Sequence, residues 1–409
     1  MKKLATALAA ILTFSLSASA QDVSKDIIKK GYSFAPFPIV AFDADRGLEL
    51  GAMLNIYNFG DGKTYPTPKS QWFIQGAYFT KGSYLFMANY DNKTAIPGVR
   101  FNVNLSFYNE KALDFYGFNG YDSGYDPTVD GSFYKHGRAL PYVKADFTGH
   151  ITEHLYWKAG YHFKYFKISP YHGEKNPTTS HFENLIASGI IPESEKDGGF
   201  TSSILAGLMF DTRDFEAAPS RGVWADANIE YAPKWLGTST PYWRYYGSVR
   251  GYVPIYRDRL VFAARATVQG FIKDPAFYVL PIDTVFGNGY DHDGIGGFYN
   301  LRGVLRNRIA GRSAGYFNTE LRWRFVDFHL FKQNMSFALN GFFEGGRVIV
   351  PYKAQSFEAE KMHLTAGGGI RFIMNRNFIL AAEYGSAFDR RDLANGKSGS
   401  FYVNVGYLF

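Results

Sequence analysis

Apolar and polar residues alternate in short runs along most of the chain. In Phe101-Asn102-Val103-Asn104-Leu105-Ser106-Phe107-Tyr108 one face is apolar and the other polar. Tyr316 to Phe325 sets Phe317, Leu321, Trp323 and Phe325 on one face, and Asn318, Glu320, Arg322 and Arg324 on the other. Val223 to Tyr231 repeats the pattern, with Asp226, Asn228 and Glu230 on its polar side. Successive strand side chains point to opposite faces, so each run predicts a β-strand with one wet face. A soluble sandwich also alternates, but its apolar face is the inside. Charges on these polar faces point instead to a watery lumen opposite lipid, as in a transmembrane antiparallel β-barrel.

The runs predict about sixteen strands, near 36–43, 48–57, 71–80, 84–92, 100–108, 137–148, 155–166, 201–211, 223–231, 243–254, 260–271, 315–325, 335–345, 363–375, 378–387 and 399–409. With the N-terminus periplasmic, connections after odd-numbered strands face outside, and they include the four longest: 109–136, 167–200, 272–314 and 346–362. Connections after even strands are mostly tight, such as Gly149–His154, Arg257–Arg259 and Arg376–Asn377. Long loops outside and short turns inside are the asymmetry of outer-membrane barrels. The turn 58–70 breaks the rule, and nothing in its sequence explains the length. No helices are expected, and no solenoid-type repeat is visible.

Composition agrees with the pattern. Phe (38), Tyr (30) and Gly (43) dwarf Trp (6), as aromatic girdles and closely packed strands require. There is no Cys, which excludes disulfides, thiol catalysis and Cys-based metal sites. Lys2 and Lys3, the apolar stretch Leu4 to Leu16, and Ala18-Ser19-Ala20 before Gln21 form a secretory signal. The expected organisation is a signal peptide at 1–20, a short periplasmic segment at 21–35 and an outer-membrane barrel at 36–409. No later apolar run is long enough for a membrane helix. The formal charge of +7, about +5 without the signal lysines, is too diffuse for nucleic-acid binding.

Catalytic motifs fail on context. Gly311-Arg312-Ser313-Ala314-Gly315 matches the G-x-S-x-G elbow of lipases, but a loop precedes it and a strand follows, where the elbow needs a strand before it and a helix after it. Asp291, Asp293 and Gly294 begin like a calcium loop, yet no acidic residue follows at the required spacing. Gly62-Lys63-Thr64 ends like a P-loop, but position 57 is Tyr where Gly is needed. His150, His154 and His162 show no metal-ligand spacing and read as surface or lumen residues. No enzyme activity, metal or cofactor is expected.

Five ordered blocks resemble one family. Asn300-Leu301-Arg302-Gly303-Val304, then Gly311 and Asn318-Thr319-Glu320-Leu321-Arg322, are similar to the sixth-loop signature of the BamA/TamA superfamily, also known as Omp85 or surface-antigen barrels. The other blocks are Asp211-Thr212-Arg213-Asp214 with Pro219 and Gly222, Phe342-Phe343-Glu344-Gly345-Gly346, Gly367 to Phe372, and the ending Gly406-Tyr407-Leu408-Phe409. The likeness covers most of the barrel and is strongest from about residue 201 onward.

The resemblance implies a long sixth loop folded into the lumen, with Leu301, Arg302, Gly303 and Val304 at its tip. Its arginine, Arg302, would be held by acidic wall residues. Strand parity turns Glu320, Glu344 and Glu383 inward as candidate partners, and an unpaired guanidinium in a confined lumen would be costly. Arg302, Arg306, Arg308 and Arg312 form a basic cluster; the last three could neutralise lumen carboxylates or contact lipopolysaccharide phosphates. Family members commonly carry periplasmic POTRA domains, which the short segment 21–35 does not supply, so a barrel-only member is expected. A lateral seam between first and last strands would involve Pro36, Pro38, Val40, Val403 and Gly406. Pro36 and Pro38 remove ladder donors, which either loosens the seam or simply terminates an edge. Tyr407 and Phe409, in phase with Phe401, Val403 and Val405, look like the C-terminal signal read by strand addition.

The implied function is insertion of outer-membrane proteins or lipid, or polypeptide translocation, without ATP or covalent chemistry. Expected partners are outer-membrane lipid and lipopolysaccharide, client outer-membrane proteins or a separate periplasmic partner, and no nucleic acid. The alternatives are a passive solute channel lined by charges such as Arg322, Arg324 and Glu230, or a scaffold barrel for a periplasmic partner.

Overall fold

A computed structural model describes residues 27–43, 47–174, 178–283, 292–353, 361–405 and 409. The signal-peptide segment, Asp291, Gly406 and Tyr407 lie outside these residues, as does the side chain of Val40.

Sixteen strands form one antiparallel sheet in sequence order, and a separate two-residue hairpin sits in the long sixth loop. The strands are β1 (Tyr32–Asp43), β2 (Gly47–Asn58), β3 (Ser70–Phe79), β4 (Tyr84–Ile96), β5 (Val99–Asp114), β6 (Lys135–His150), β7 (Leu155–Pro170) and β8 (Gly198–Asp211). They continue as β9 (Gly222–Ala232), β10 (Tyr242–Tyr256), β11 (Leu260–Phe271), the hairpin strands β12 (Ile282–Asp283) and β13 (His292–Asp293), β14 (Ser313–Leu330), β15 (Gln333–Val350), β16 (His363–Met374), β17 (Phe378–Ala387) and β18 (Ser400–Val405). This is the all-β barrel that the alternation predicts. Among the described residues, no helix is long and apolar enough to cross a membrane.

The alternation becomes two different surfaces. On β14, Leu321 is 46% exposed on the outer wall while its neighbour Glu320 is buried inside. Stacked aromatic pairs mark both rims of the outer wall. Trp72 lies on Tyr90 (4.3 Å between centroids) at the short-turn end, and Tyr231 on Trp243 (4.0 Å) at the long-loop end. The inner face is polar and internally paired. Asn89 and Asn102 exchange side-chain hydrogen bonds of 2.9 and 3.0 Å, His162 meets Asp146 at 2.8 Å, and Lys158 pairs with Asp226. Such pairing is what permits buried polar side chains.

The structure departs from the predicted elements in three respects. The first strand starts at Tyr32 rather than 36, so the expected division between periplasmic segment and barrel falls inside an alternating run, Tyr32-Ser33-Phe34-Ala35. The strands feeding the longest loops extend several residues further, and aromatic residues of those loops build a second apolar core over the mouth. Phe115, Phe118, Phe182, Phe277, Tyr278 and Tyr352 belong to it. The expectation of no helices fails once. A short helix, α1 (His181–Ala187), stands in the outer loop between β7 and β8. Its start was legible in Ser180-His181-Phe182-Glu183, a capping box in which the Glu183 N–H donates to Ser180 Oγ (3.3 Å) and the Ser180 N–H donates to Glu183 Oε2 (2.9 Å).

Candidate functional site

The sixth loop enters the lumen between β11 and β14. Ile295 and Ile309 close its neck with reciprocal main-chain hydrogen bonds of 2.9 and 3.0 Å. Leu301 and Val304 are fully buried in an apolar cluster with Ile295, Ile309, Tyr316 and Val348. Between them the chain must turn against the wall. Gly303 has φ +101°, and a Cβ there would lie 2.5 Å from the Ser386 nitrogen on β17; a Cβ on Gly385 would lie 2.6 Å from Arg302 O. The tip and β17 therefore meet backbone to backbone.

That contact aims Arg302 into three carboxylates on three strands. Its guanidinium lies 2.7 Å from Glu320 on β14, 2.5 Å from Glu344 on β15 and 2.6 Å from Glu383 on β17, with all four side chains at 0% exposure. Its face rests on the Phe342 ring, 3.6 Å from the centroid. Two wall arginines complete the balance. Arg371 bridges Glu320 (3.0 Å) and Glu383 (2.6 Å), and Arg322 holds Glu320 at 2.7 Å. Three guanidinium groups thus face three carboxylates, and Asn340 donates to Glu383 and Thr365 to Glu344 as well. A buried network of this kind is tolerable only when every charge is matched. Arg371 and Phe342 were missed in the sequence. Parity with Glu383's partner Gly369 was the available signal for Arg371, since residues two apart share a face.

The rest of the basic cluster is spoken for. Arg306 pairs with Glu110 (2.8 Å) and Asp293 (2.5 Å), and Asp293 also meets Arg138 of β6 at 2.5 Å. Arg308 donates to Gly120 O and Ser123 Oγ in the outer loop between β5 and β6, both at 2.8 Å. Arg312 is half-buried, 3.8 Å from Asp274. Asp293 of the calcium-like run is thus an ion-pair partner, and Ser313 of the lipase-like match sits on β14. Among the described residues, no acidic or histidine cluster suits a metal.

Strands β1 and β18 are the two edges of the sheet. Gly31 directs both main-chain groups toward β2's continuation, with the Gly31 N–H donating to Gly60 O and the Phe59 N–H to Gly31 O, both 2.8 Å. Alternation from Gly31 leaves Pro36 and Pro38 with their nitrogens on the free edge of β1, where neither can donate. Their side chains are exposed on the outer wall. At the other end, Phe401 and Val403 of β18 are 67% and 54% exposed outward. Tyr402 points inward, and its hydroxyl accepts from the Gly303 N–H at 2.9 Å.

Toward the short-turn end the sheet overlaps itself. Ala35 and Phe37 of β1 and Met53 and Tyr57 of β2 lie on the inner face of their strands. They share one apolar cluster with Met374, Phe378 and Leu380, which lie on the outer face of β16 and β17. The Phe37 and Phe378 rings are 5.8 Å apart. The turn between β2 and β3, unexplained in the sequence, reaches this overlap. Asn334 donates to the Tyr65 hydroxyl and Asn377 to Pro66 O, each at 2.8 Å, and Asn334 also exchanges hydrogen bonds with Ile27. The turn is long because it straps the first strands to the turns before β15 and β17.

Phe409 lies apart from the outward side chains of β18. Strand parity would set it outward with Phe401 and Val403. Instead it is buried within the lumen against Tyr252, Val261 and Ala263. Arg265 and Arg322 stand 5.0 and 4.8 Å from its ring, and Arg322 donates to its main-chain oxygen at 2.9 Å. Residues 406–408, between β18 and Phe409, lie outside the described residues.

Comparison with known proteins agrees with this geometry. A family model described as the Omp85 superfamily domain matches residues 75–409. Among solved structures, the chain is similar to BamA from Haemophilus ducreyi lacking POTRA domains 1–3. The TM-score is 0.54 at 14% identity, over 92% of this chain and 70% of that one. It is also similar to CdiB from Escherichia coli, with a TM-score of 0.58 at 11% identity, over 92% of this chain and 62% of that one. The chain thus spans under two thirds of the CdiB chain. No curated protein matches it.

Proposed function

The chain belongs to the Omp85 superfamily, and from that membership we propose that it inserts or translocates polypeptide at the outer membrane, through the seam between β1 and β18 and without covalent chemistry. Residues 1–20 act as its export signal, and the barrel takes client outer-membrane proteins directly or from a separate periplasmic partner. The observation that carries this reading is the donor-poor edge of β1 at Pro36 and Pro38. An unsaturated edge can exchange hydrogen bonds with an incoming strand, so that ladder bonds are replaced rather than created. The docked sixth loop supports the same reading. It ties β14, β15 and β17 together through Arg302 and touches β18 through Tyr402, giving the seam a rigid side against which the first strands move. The passive-channel alternative draws no support from a lumen packed with paired charges.

The test is a barrel carrying Phe37→Cys and Phe378→Cys in liposomes, with or without a short thiol cross-linker. A small β-barrel client diluted from urea should fold faster with the unlinked protein than with empty liposomes, and lose that gain on cross-linking. Equal acceleration by the linked form would overturn the seam as the route.

A further inference from the structure

One feature of the outer wall lies away from the seam and from the sixth loop. Strand β6 carries Pro141 in mid-ladder. Its pairing with β5 continues there (Phe107↔Pro141), but on the other side the ladder with β7 lapses between Ala139↔Lys167 and Tyr142↔Lys164. A proline can donate to neither neighbour, and the wall opens at this point. The result is a groove of about 260 Å³ on the lipid-facing side, lined by Phe86, Leu105, Phe107, Pro141, Val143 and Phe163. Ligand sites for small molecules begin near ~300 Å³, so the groove suits one slender apolar chain. Phe86 and Leu105 are about half exposed, so the groove opens to the bilayer.

What stands above it is polar. The next row toward the long loops reads Tyr84, Asn109, Ala139 and Lys167 across β4 to β7. Lys111 follows one row higher on β5, reaching over the β3–β4 turn at Gly82. Lys111 and Lys167 are both exposed on this face, and neither has an ion-pair partner among the described residues. The outward side of β5 thus passes from Phe101, Val103, Leu105 and Phe107 to Asn109 and Lys111, the change from hydrocarbon to headgroup depth. Lysines at that depth extend their ammonium groups to the interface, where phosphate is the complementary charge.

We propose that this wall holds a phosphorylated, multiply acylated glycolipid of the outer leaflet, with one acyl chain in the Pro141 groove and its phosphates at Lys111 and Lys167. Two cations set on either side of β6 match two separated phosphates better than the single phosphate of a glycerophospholipid. The proposal needs only the barrel and its orientation; it does not depend on any activity of the seam.

Native mass spectrometry of the full barrel in detergent, titrated with bis-phosphorylated lipid A or with phosphatidylglycerol, tests it. One lipid A should be retained at concentrations where phosphatidylglycerol is not. The K111Q/K167Q double variant and, separately, V143W, which fills the groove, should each weaken retention about tenfold, while a heat-modifiability gel confirms that both fold. Undiminished retention by either folded variant, or equal retention of phosphatidylglycerol, would overturn it.

Discussion

Glu344 holds Arg302 at two points: one carboxylate oxygen accepts the Arg302 main-chain N–H at 2.7 Å, and the other accepts its Nε at 2.9 Å. The side chain of the wall thereby fixes the loop's backbone as well as its charge.

Arg302→Ala should destabilise the barrel strongly. It would leave three buried carboxylates facing two guanidinium groups, and breaking a buried pair typically costs ~3–5 kcal/mol. Arg302→Lys should recover only part of this, because an ammonium cannot span three carboxylates as a planar fork does. Semi-native gels that follow the heat-dependent mobility shift provide the measurement. An Ala variant as heat-resistant as the parent would contradict the pinning.

Gly303→Ala should undock the loop tip while leaving the wall network's residues intact. Positive φ at a non-glycine costs on the order of 1 kcal/mol, and the close approach to Ser386 adds a clash. Limited proteolysis should then cut within 294–312, where the parent protein resists. An unchanged digestion pattern would argue against backbone contact at β17.

Asp293 gives the loop a defined response to acid. Burial pushes its carboxyl up, but Arg138 and Arg306 outweigh that and hold it well below the usual carboxylate range. A carboxyl lowered on folding contributes stability that is present above its unfolded value and lost as pH falls through the folded one. Thermal unfolding in detergent should therefore show no loss from this group between about pH 8 and pH 5, with the decline confined to strong acid. Asp293→Asn should lower the midpoint across the neutral range and flatten that acid limb.

The overlap at the seam predicts unequal contact with lipid. A fluorophore on a cysteine at position 403 should be quenched strongly by brominated acyl chains. One at position 380, on the same outer face, should be shielded by β1. Equal quenching would mean that β1 does not cover β17.

The barrel was legible in the sequence because alternation is a local property. Each strand announces its two faces within a few residues, and inward Glu320 and outward Leu321 follow from parity alone. The helix α1 was legible too, in the capping box at Ser180 and Glu183, but a single turn's signal is easily submerged in a loop. Long-range closure was not legible. Nothing within 58–70 says that Tyr65 and Pro66 will meet Asn334 and Asn377, more than 260 residues away. Nor does anything near the C-terminus say that Phe409 will sit against Tyr252, Val261 and Ala263. Arg371 and Phe342 share the inward faces of their strands with the glutamates. Their part in holding Arg302 depends on which strands become neighbours, and only the assembled sheet fixes that.

The seat of Phe409 has a consequence for assembly. Its pocket is shared by β10, β11 and Arg322 of β14, and Tyr299 of the inserted loop packs against it. It cannot exist until the middle of the chain has curled round and the plug has arrived. Docking of this residue is therefore a test of completion, satisfied only by a molecule whose interior is already finished.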